Sequence, residues 1–161
     1  MLFRSVDLPL PRLAGRHQQT NAGTAVAALR AAGFGRLPVA AYEAGIIGAE
    51  WPARLQRLAR GRLAEQAPAG AELWLDGGHN PDGGKVLAAA MADFEERASR
   101  PLVMIVGMLG TKDSAGFLVP FSGLAGLVIT VPITGNTASR SAADVRSEEH
   151  TSELQSPCNL V

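Results

Sequence analysis

The sequence predicts an α/β fold, an open and mostly parallel sheet with flanking helices, and three observations predict it. Residues 72–75, 102–106 and 127–131 are short apolar runs, the pattern of strands buried on both faces of a parallel sheet. Between the first two, Leu87, Ala90, Met91 and Phe94 stand at i, i+3, i+4 and i+7, an amphipathic helix suited to cover one sheet face. Between the second and third, residues 114–124 leave room for a shorter helix, weakened by Pro120 and Gly123. Strand, helix, strand, helix, strand implies crossover connections and a layered α/β architecture.

Upstream, residues 21–32 place Ala25, Val26, Leu29 and Ala32 at helical spacing, with Gly33 positioned to end the helix in a left-handed conformation. Residues 37–51 read as short and irregular. Trp51-Pro52 forces extended backbone before the proline and suits a hinge, so a domain boundary is expected near Glu50. The expected organisation is the end of one domain over residues 1–50 and a second domain over 51–145.

The last sixteen residues, 146–161, are polar and acidic where the preceding chain is rich in Ala, Gly, Val and Leu. They resemble the translated read-through of a sequencing-library adapter and are set aside from fold reasoning as a processing scar. With them goes Cys158, the only cysteine, so the remainder has no thiol for a disulfide or a cysteine metal cluster.

Composition narrows the function classes. The chain is 47% hydrophobic and 19% charged, as expected of a globular protein rather than a disordered or fibrous one. Its formal net charge of +0 offers no broad basic surface for nucleic-acid phosphates, nor a basic amphipathic anchor for a membrane. No apolar run approaches the roughly 20 residues that span a bilayer, and no signal-peptide order opens the chain. Small-molecule partners and a cytoplasmic location are therefore expected.

The clearest chemical signal is Asp76-Gly77-Gly78-His79-Asn80-Pro81, directly after a predicted strand and before a predicted helix. In open α/β sheets ligands bind beyond the carboxyl ends of strands, where this turn lies. An acceptor-only carboxylate at Asp76 matches two ribose hydroxyls, the glycines permit a tight turn, and Asn80 with Pro81 can open the next helix. A plainer role for Asp76 and His79 is to satisfy turn amides. Three further strings stand in order around it: Gly15-Arg16-His17-Gln18-Gln19-Thr20-Asn21-Ala22, Trp51-Pro52-Ala53-Arg54-Leu55-Gln56 and Gly107-Met108-Leu109-Gly110-Thr111-Lys112-Asp113.

Together these four motifs resemble the folylpolyglutamate synthase/dihydrofolate synthase family of the Mur ligase superfamily, over roughly residues 13–144. The family patterns are G-x-HQ-x-x-NA, WPGRLQ, DGAHNP and G-M-L-x-DKD; this sequence departs at Ala53 for Gly, Gly78 for Ala and Thr111 for Asp. The resemblance implies the end of a P-loop central ATPase domain followed by a Rossmann-like C-terminal domain. Carried over residue by residue, it implies that Asn21 contacts the nucleotide, Arg54 the ATP phosphates and Asp76 the ribose. His79 would lie near the nucleotide or the domain interface, which makes Arg54 and His79 the candidate catalytic side chains. Simpler roles remain open for His17 as a hydrogen bonder at a helix start, for Lys112 and Asp113 as a solvated loop pair, and for Arg54 as a surface arginine.

The implied reaction adds L-glutamate to dihydropteroate or folate with ATP and Mg²⁺, through an acyl phosphate, in a monomeric full-length enzyme. No G-x-x-x-x-G-K-[ST] phosphate loop occurs in the sequence, so Mg²⁺ ligands are expected mainly upstream of this stretch and none is assigned here. A truncated and inactive piece of the ligase is expected. The rivals are a cell-wall amino-acid ligase of the same superfamily and a non-catalytic nucleotide-binding module. A nicotinamide-dependent oxidoreductase is disfavoured, because no G-x-G-x-x-G opens a helix after a strand.

Overall fold

The computed structural model describes residues 5–151. The chain divides into two compact units, Met1–Gly77 and Gly78–Val161. This division falls downstream of Glu50, because residues 53–58 bond to residues 72–77 within the first unit.

The first unit is built from helix α1 (His17–Leu29), a π-helical turn (Arg30–Phe34), helix α2 (Val39–Gly48), strand β1 (Gln56–Arg57), the short helix α3 (Arg62–Gln66) and strand β2 (Trp74–Leu75). Gly33 has φ of 92°, the left-handed conformation expected of a helix terminator, and the chain turns there. Residues 37–51 are not irregular as expected. They contain α2, whose N-cap is Pro38 with no capping side chain and whose interior includes Gly45, so ordinary helix signals are missing. What holds α2 is packing: Tyr42 and Ile46, one turn apart, are buried, and the Tyr42 hydroxyl donates to the Phe34 carbonyl at 2.9 Å.

Strand β2 is shorter than the expected 72–75 run. It pairs antiparallel with β1, Gln56 opposite Leu75 and Arg57 opposite Trp74, instead of joining the parallel sheet. The cause is local: Leu58 N donates to Leu73 O at 2.8 Å, and the Arg57 guanidinium pairs with Glu72 at 3.1 Å.

The second unit holds helix α4 (Pro81–Arg97), strand β3 (Leu102–Val106), helix α5 (Ser114–Leu118) with a 3-10 turn (Val119–Phe121), strand β4 (Ala125–Thr130) and helix α6 (Ala142–Thr151). Strands β3 and β4 are parallel, with Val103 opposite Leu127 and Val106 opposite Thr130. Parallel pairing demands a crossover, which α5 and its 3-10 turn provide. Pro120 sits in that 3-10 turn and Gly123 follows at φ 75°, which is why the helix stops short of the expected 124.

One core serves this unit. Ala88 of α4, Val106, Met108, Phe117, Leu118, Phe121, Ala125, Val128 and Val145 of α6 are buried together, and the Phe117 and Phe121 rings stack tilted with centroids 5.7 Å apart. Burial of this apolar surface is the main stabilising term. Coverage is one-sided: Met104 and Val106 face the core, whereas Val103 and Ile105 are 53% and 67% exposed. The apolar runs anticipated burial on both faces, and β3 has only one covered.

Helix α6 opens with Ser141, whose hydroxyl accepts from Asp144 N and donates to the Asp144 carboxylate. The helix runs through Thr151, past Arg146 where the composition changes; residues 152–161, the larger part of the segment set aside above, lie outside the described residues. None of the described helices is long and apolar enough to cross a membrane.

Candidate functional site

Two of the four motifs converge on a third within the first unit. Gly15 adopts φ of 100°, and the chain then enters α1 with His17 and Gln18 in its first turn. A Cβ on Gly15 would come within 2.7 Å of His17 Nδ1, so this glycine both makes the turn and lets the imidazole lie against the backbone. Gln18 is 4% exposed, a buried amide held at both ends. Its Oε1 accepts from Asn21 Nδ2 at 3.0 Å, and its Nε2 is 2.8 Å from His17 Nε2. Asn21 itself is exposed one turn along the helix.

The Trp51–Gln56 motif is a sharply bent segment. Ala53 has φ of 55° and Leu55 φ of 44°, both left-handed, with the exposed Arg54 between them. Such backbone costs an ordinary residue roughly 1–2 kcal/mol, so something must hold it. The holders come from the end of β2: the Asp76 carboxylate accepts from Leu55 N at 2.6 Å, and Gly77 N donates to Ala53 O at 2.8 Å. Leu55 is buried, while Ala53 N is bonded to Gln56 Oε1 at 2.9 Å.

This geometry gives one departure from the family pattern, Ala53 for glycine, an energetic cost. Position 53 needs a left-handed residue, which glycine supplies without strain. Ala53→Gly is therefore expected to stabilise the chain by about 0.5–1 kcal/mol, the relief of strain less glycine's greater loss of chain entropy. Denaturant unfolding of the two chains under identical conditions measures it, and a loss of stability would contradict the assigned backbone.

His17 reports the electrostatics of this neighbourhood. Burial lowers its pKa below the ordinary imidazole value, the nearby Arg54 guanidinium lowers it further, and the Asp76 carboxylate opposes both. The neutral ring is thus the favoured form in the fold. Residues 17, 54 and 76, far apart in sequence, share one electrostatic environment beside the amide chain that leads to Asn21.

The remaining candidates lie in the second unit. His79 is exposed and stands next to Asn80, whose side chain caps α4 by accepting from Gly83 N at 2.7 Å, with Pro81 in the first turn. This is the rigid helix start that the sequence anticipated. Asp113 caps α5, its carboxylate accepting from Gly116 N at 2.8 Å, so it has a structural task beyond that of a solvated loop residue. The loop before it is tied down by Gly110 N to Ala138 O at 2.7 Å and Arg140 N to Met108 O at 3.0 Å. Among the described residues no three His, Cys, Asp or Glu side chains are grouped to hold a metal ion.

Sequence reasoning missed two participants. Gln18 lay inside a quoted motif, yet its burial between His17 and Asn21 has no signature in one sequence. The Leu55 amide, as the partner of Asp76, is a backbone group that no motif can name.

No family model matches the chain. The chain is 30% identical over 135 residues to the folylpolyglutamate synthase of Lacticaseibacillus casei, covering 82% of this chain and 28% of the relative. It is 35% identical over 145 residues to the dihydrofolate synthase/folylpolyglutamate synthase of Mycobacterium tuberculosis, covering 88% and 26%. It thus spans well under a third of the length of these relatives. Among solved structures, folylpolyglutamate synthase of M. tuberculosis complexed with ADP and AMPPCP superposes with a TM-score of 0.73 at 26% identity, over 93% of this chain and 31% of that one. A bifunctional folylpolyglutamate synthase/dihydrofolate synthase with Mn, AMPPNP and L-glutamate bound gives 0.69 at 25% identity, over 98% and 33%. With the motifs, the backbone and these relatives in agreement, the chain corresponds in sequence and in its Mur ligase α/β fold to a stretch of the folylpolyglutamate synthase/dihydrofolate synthase family.

Proposed function

We propose that this chain supplies part of the ATP site of a ligase that joins L-glutamate to dihydropteroate or to a folate. The observation that carries the reading is the convergence of His17, Arg54 and Asp76 in one electrostatic environment beside Asn21. The bound ADP and AMPPCP of the M. tuberculosis enzyme, and the glutamate of the bifunctional one, support it.

In this reading the Asn21 amide pairs with the base and Asp76 takes the ribose hydroxyls. Arg54 forks onto phosphate oxygens, where it stabilises charge as the γ-phosphoryl passes to the substrate carboxylate and ADP leaves. The glutamate amine then attacks the acyl phosphate, loses its proton and expels phosphate. His79 stays a candidate near the nucleotide, a domain boundary near Glu50 and a cytoplasmic monomeric ligase belong to the same proposal, and the phosphate loop and metal ligands come from sequence outside this stretch.

Titrating ADP into the ¹⁵N-labelled chain tests the site. The amides of Asn21, Leu55 and Gly77 should shift together and saturably, while glutamate ligation by the chain alone should be undetectable. Shifts scattered over the surface without saturation would remove the nucleotide reading. Ligation by the chain alone would remove the assignment of the phosphate loop to sequence elsewhere.

A further inference from the structure

We propose that Gln18 is the positioning residue that fixes which edge of the Asn21 amide meets a nucleobase, and that the His17–Gln18–Asn21 chain thereby selects adenine over guanine. The inference rests on the nucleotide reading above and extends it to a residue that touches no ligand.

The argument is one of donor and acceptor counting. Gln18 is buried and its Oε1 is the acceptor for Asn21 Nδ2 at 3.0 Å. Its other end is then an amino group that can only donate, and it lies 2.8 Å from His17 Nε2. That ring nitrogen must carry a lone pair, so the His17 proton sits on Nδ1 and the ring is neutral. Burial and Arg54 favour that form; Asp76 is the charged group that opposes it.

Polarity therefore passes along the chain in one direction. With one N–H committed to Gln18, Asn21 keeps its Oδ1 and a second N–H for a base. An acceptor beside a donor matches the adenine amino group and its neighbouring ring nitrogen, whereas guanine presents a carbonyl oxygen where that amino group would be. Reversing the Asn21 amide would require reversing Gln18 and placing a proton on His17 Nε2. Flipping Asn21 alone would set its Oδ1 against Gln18 Oε1, so the orientation that suits the O6 and N1–H edge of guanine is reached only if the buried Gln18 turns over with it and the His17 proton moves.

The test compares ADP and GDP binding to the full 161-residue chain and its variants by NMR titration. The unsubstituted chain should prefer ADP by about tenfold or more, the worth of one correctly paired amide. Gln18→Met, similar in size but without the amide, should bring the two affinities within about twofold of each other. Gln18→Glu should keep the preference, because a carboxylate still accepts from Asn21 Nδ2. In the unsubstituted chain, imidazole ¹⁵N shifts should show His17 protonated at Nδ1 alone.

A folded Gln18→Met chain that retains the preference overturns the proposal, as does a His17 ring protonated at Nε2. Should Gln18→Met fail to fold, loss of the preference in Gln18→Glu overturns it in its place. If neither nucleotide binds the unsubstituted chain, the nucleotide reading falls and this proposal with it, a result distinct from binding without selectivity.

Discussion

Replacing Gly84 by alanine is expected to destabilise the second unit by about 3 kcal/mol, the upper range for overpacking a close contact. Gly84 is buried in the first turns of α4, where α5 crosses it. A Cβ there would drive into the Phe117 carbonyl oxygen and lie 3.0 Å from both the carbonyl carbon and Cα of that residue. These are backbone atoms and no side-chain rotation relieves them. Nor can α5 withdraw cheaply, since Asp113 caps it and Phe117, Leu118 and Phe121 anchor it in the core. The gain of about 1 kcal/mol that alanine normally brings to a helix is too small to compensate. Gly45→Ala is the matched control: it lies inside α2, a Cβ would meet nothing within 4 Å, and it should stabilise by about 0.5–1 kcal/mol. Urea unfolding of both variants decides the matter. A Gly84→Ala chain within about 1 kcal/mol of the unsubstituted protein would mean that α4 and α5 do not approach as closely as assigned.

That glycine also marks how far the sequence could be read. The turn from Asp76 to Pro81 was legible because each residue there has a local reason: an apolar run ends, glycines permit a turn, and Asn-Pro opens a helix. The structure places the cap where that logic puts it. The strands β3 and β4 and the helix α4 were legible for the same reason, since hydrophobic period is a local property. Helix α2 was not, because Pro38 and Gly45 mask its period and only tertiary burial of Tyr42 and Ile46 sustains it. The antiparallel pairing of β2 was not legible either. It depends on Leu58, Arg57 and the 53–55 backbone reaching residues 72–77, contacts that composition and spacing do not encode. The candidate site divides along the same line. Asn21, Arg54 and Asp76 were named from motifs, whereas the means by which they are held, a buried glutamine and a strained backbone bend, needed coordinates.

The strained bend makes Asp76 the residue whose loss should reach furthest. Its carboxylate accepts from Leu55 N at 2.6 Å and so holds a stretch in which Ala53 and Leu55 are both left-handed. Asp76→Ala removes a hydrogen bond to a charged acceptor, worth about 1.5–3 kcal/mol, and lets a bend storing roughly 1–2 kcal/mol per residue relax. Arg54, carried between those two residues, would lose its fixed position. If Asp76 takes the ribose hydroxyls as proposed, nucleotide binding should fall by about 100-fold or more, from loss of that contact and displacement of Arg54 together. Asp76→Asn separates the two roles, because an amide oxygen can still accept from Leu55 N while presenting weaker acceptance to ribose. It should keep the unfolding midpoint near that of the parent sequence and lose about tenfold in ADP affinity. If Asp76→Asn binds ADP as the unsubstituted chain does while Asp76→Ala does not, the carboxylate acts solely as a clamp on the Arg54 segment and the ribose assignment is wrong. If both variants bind equally poorly with intact folds, the negative charge itself is what the nucleotide site requires.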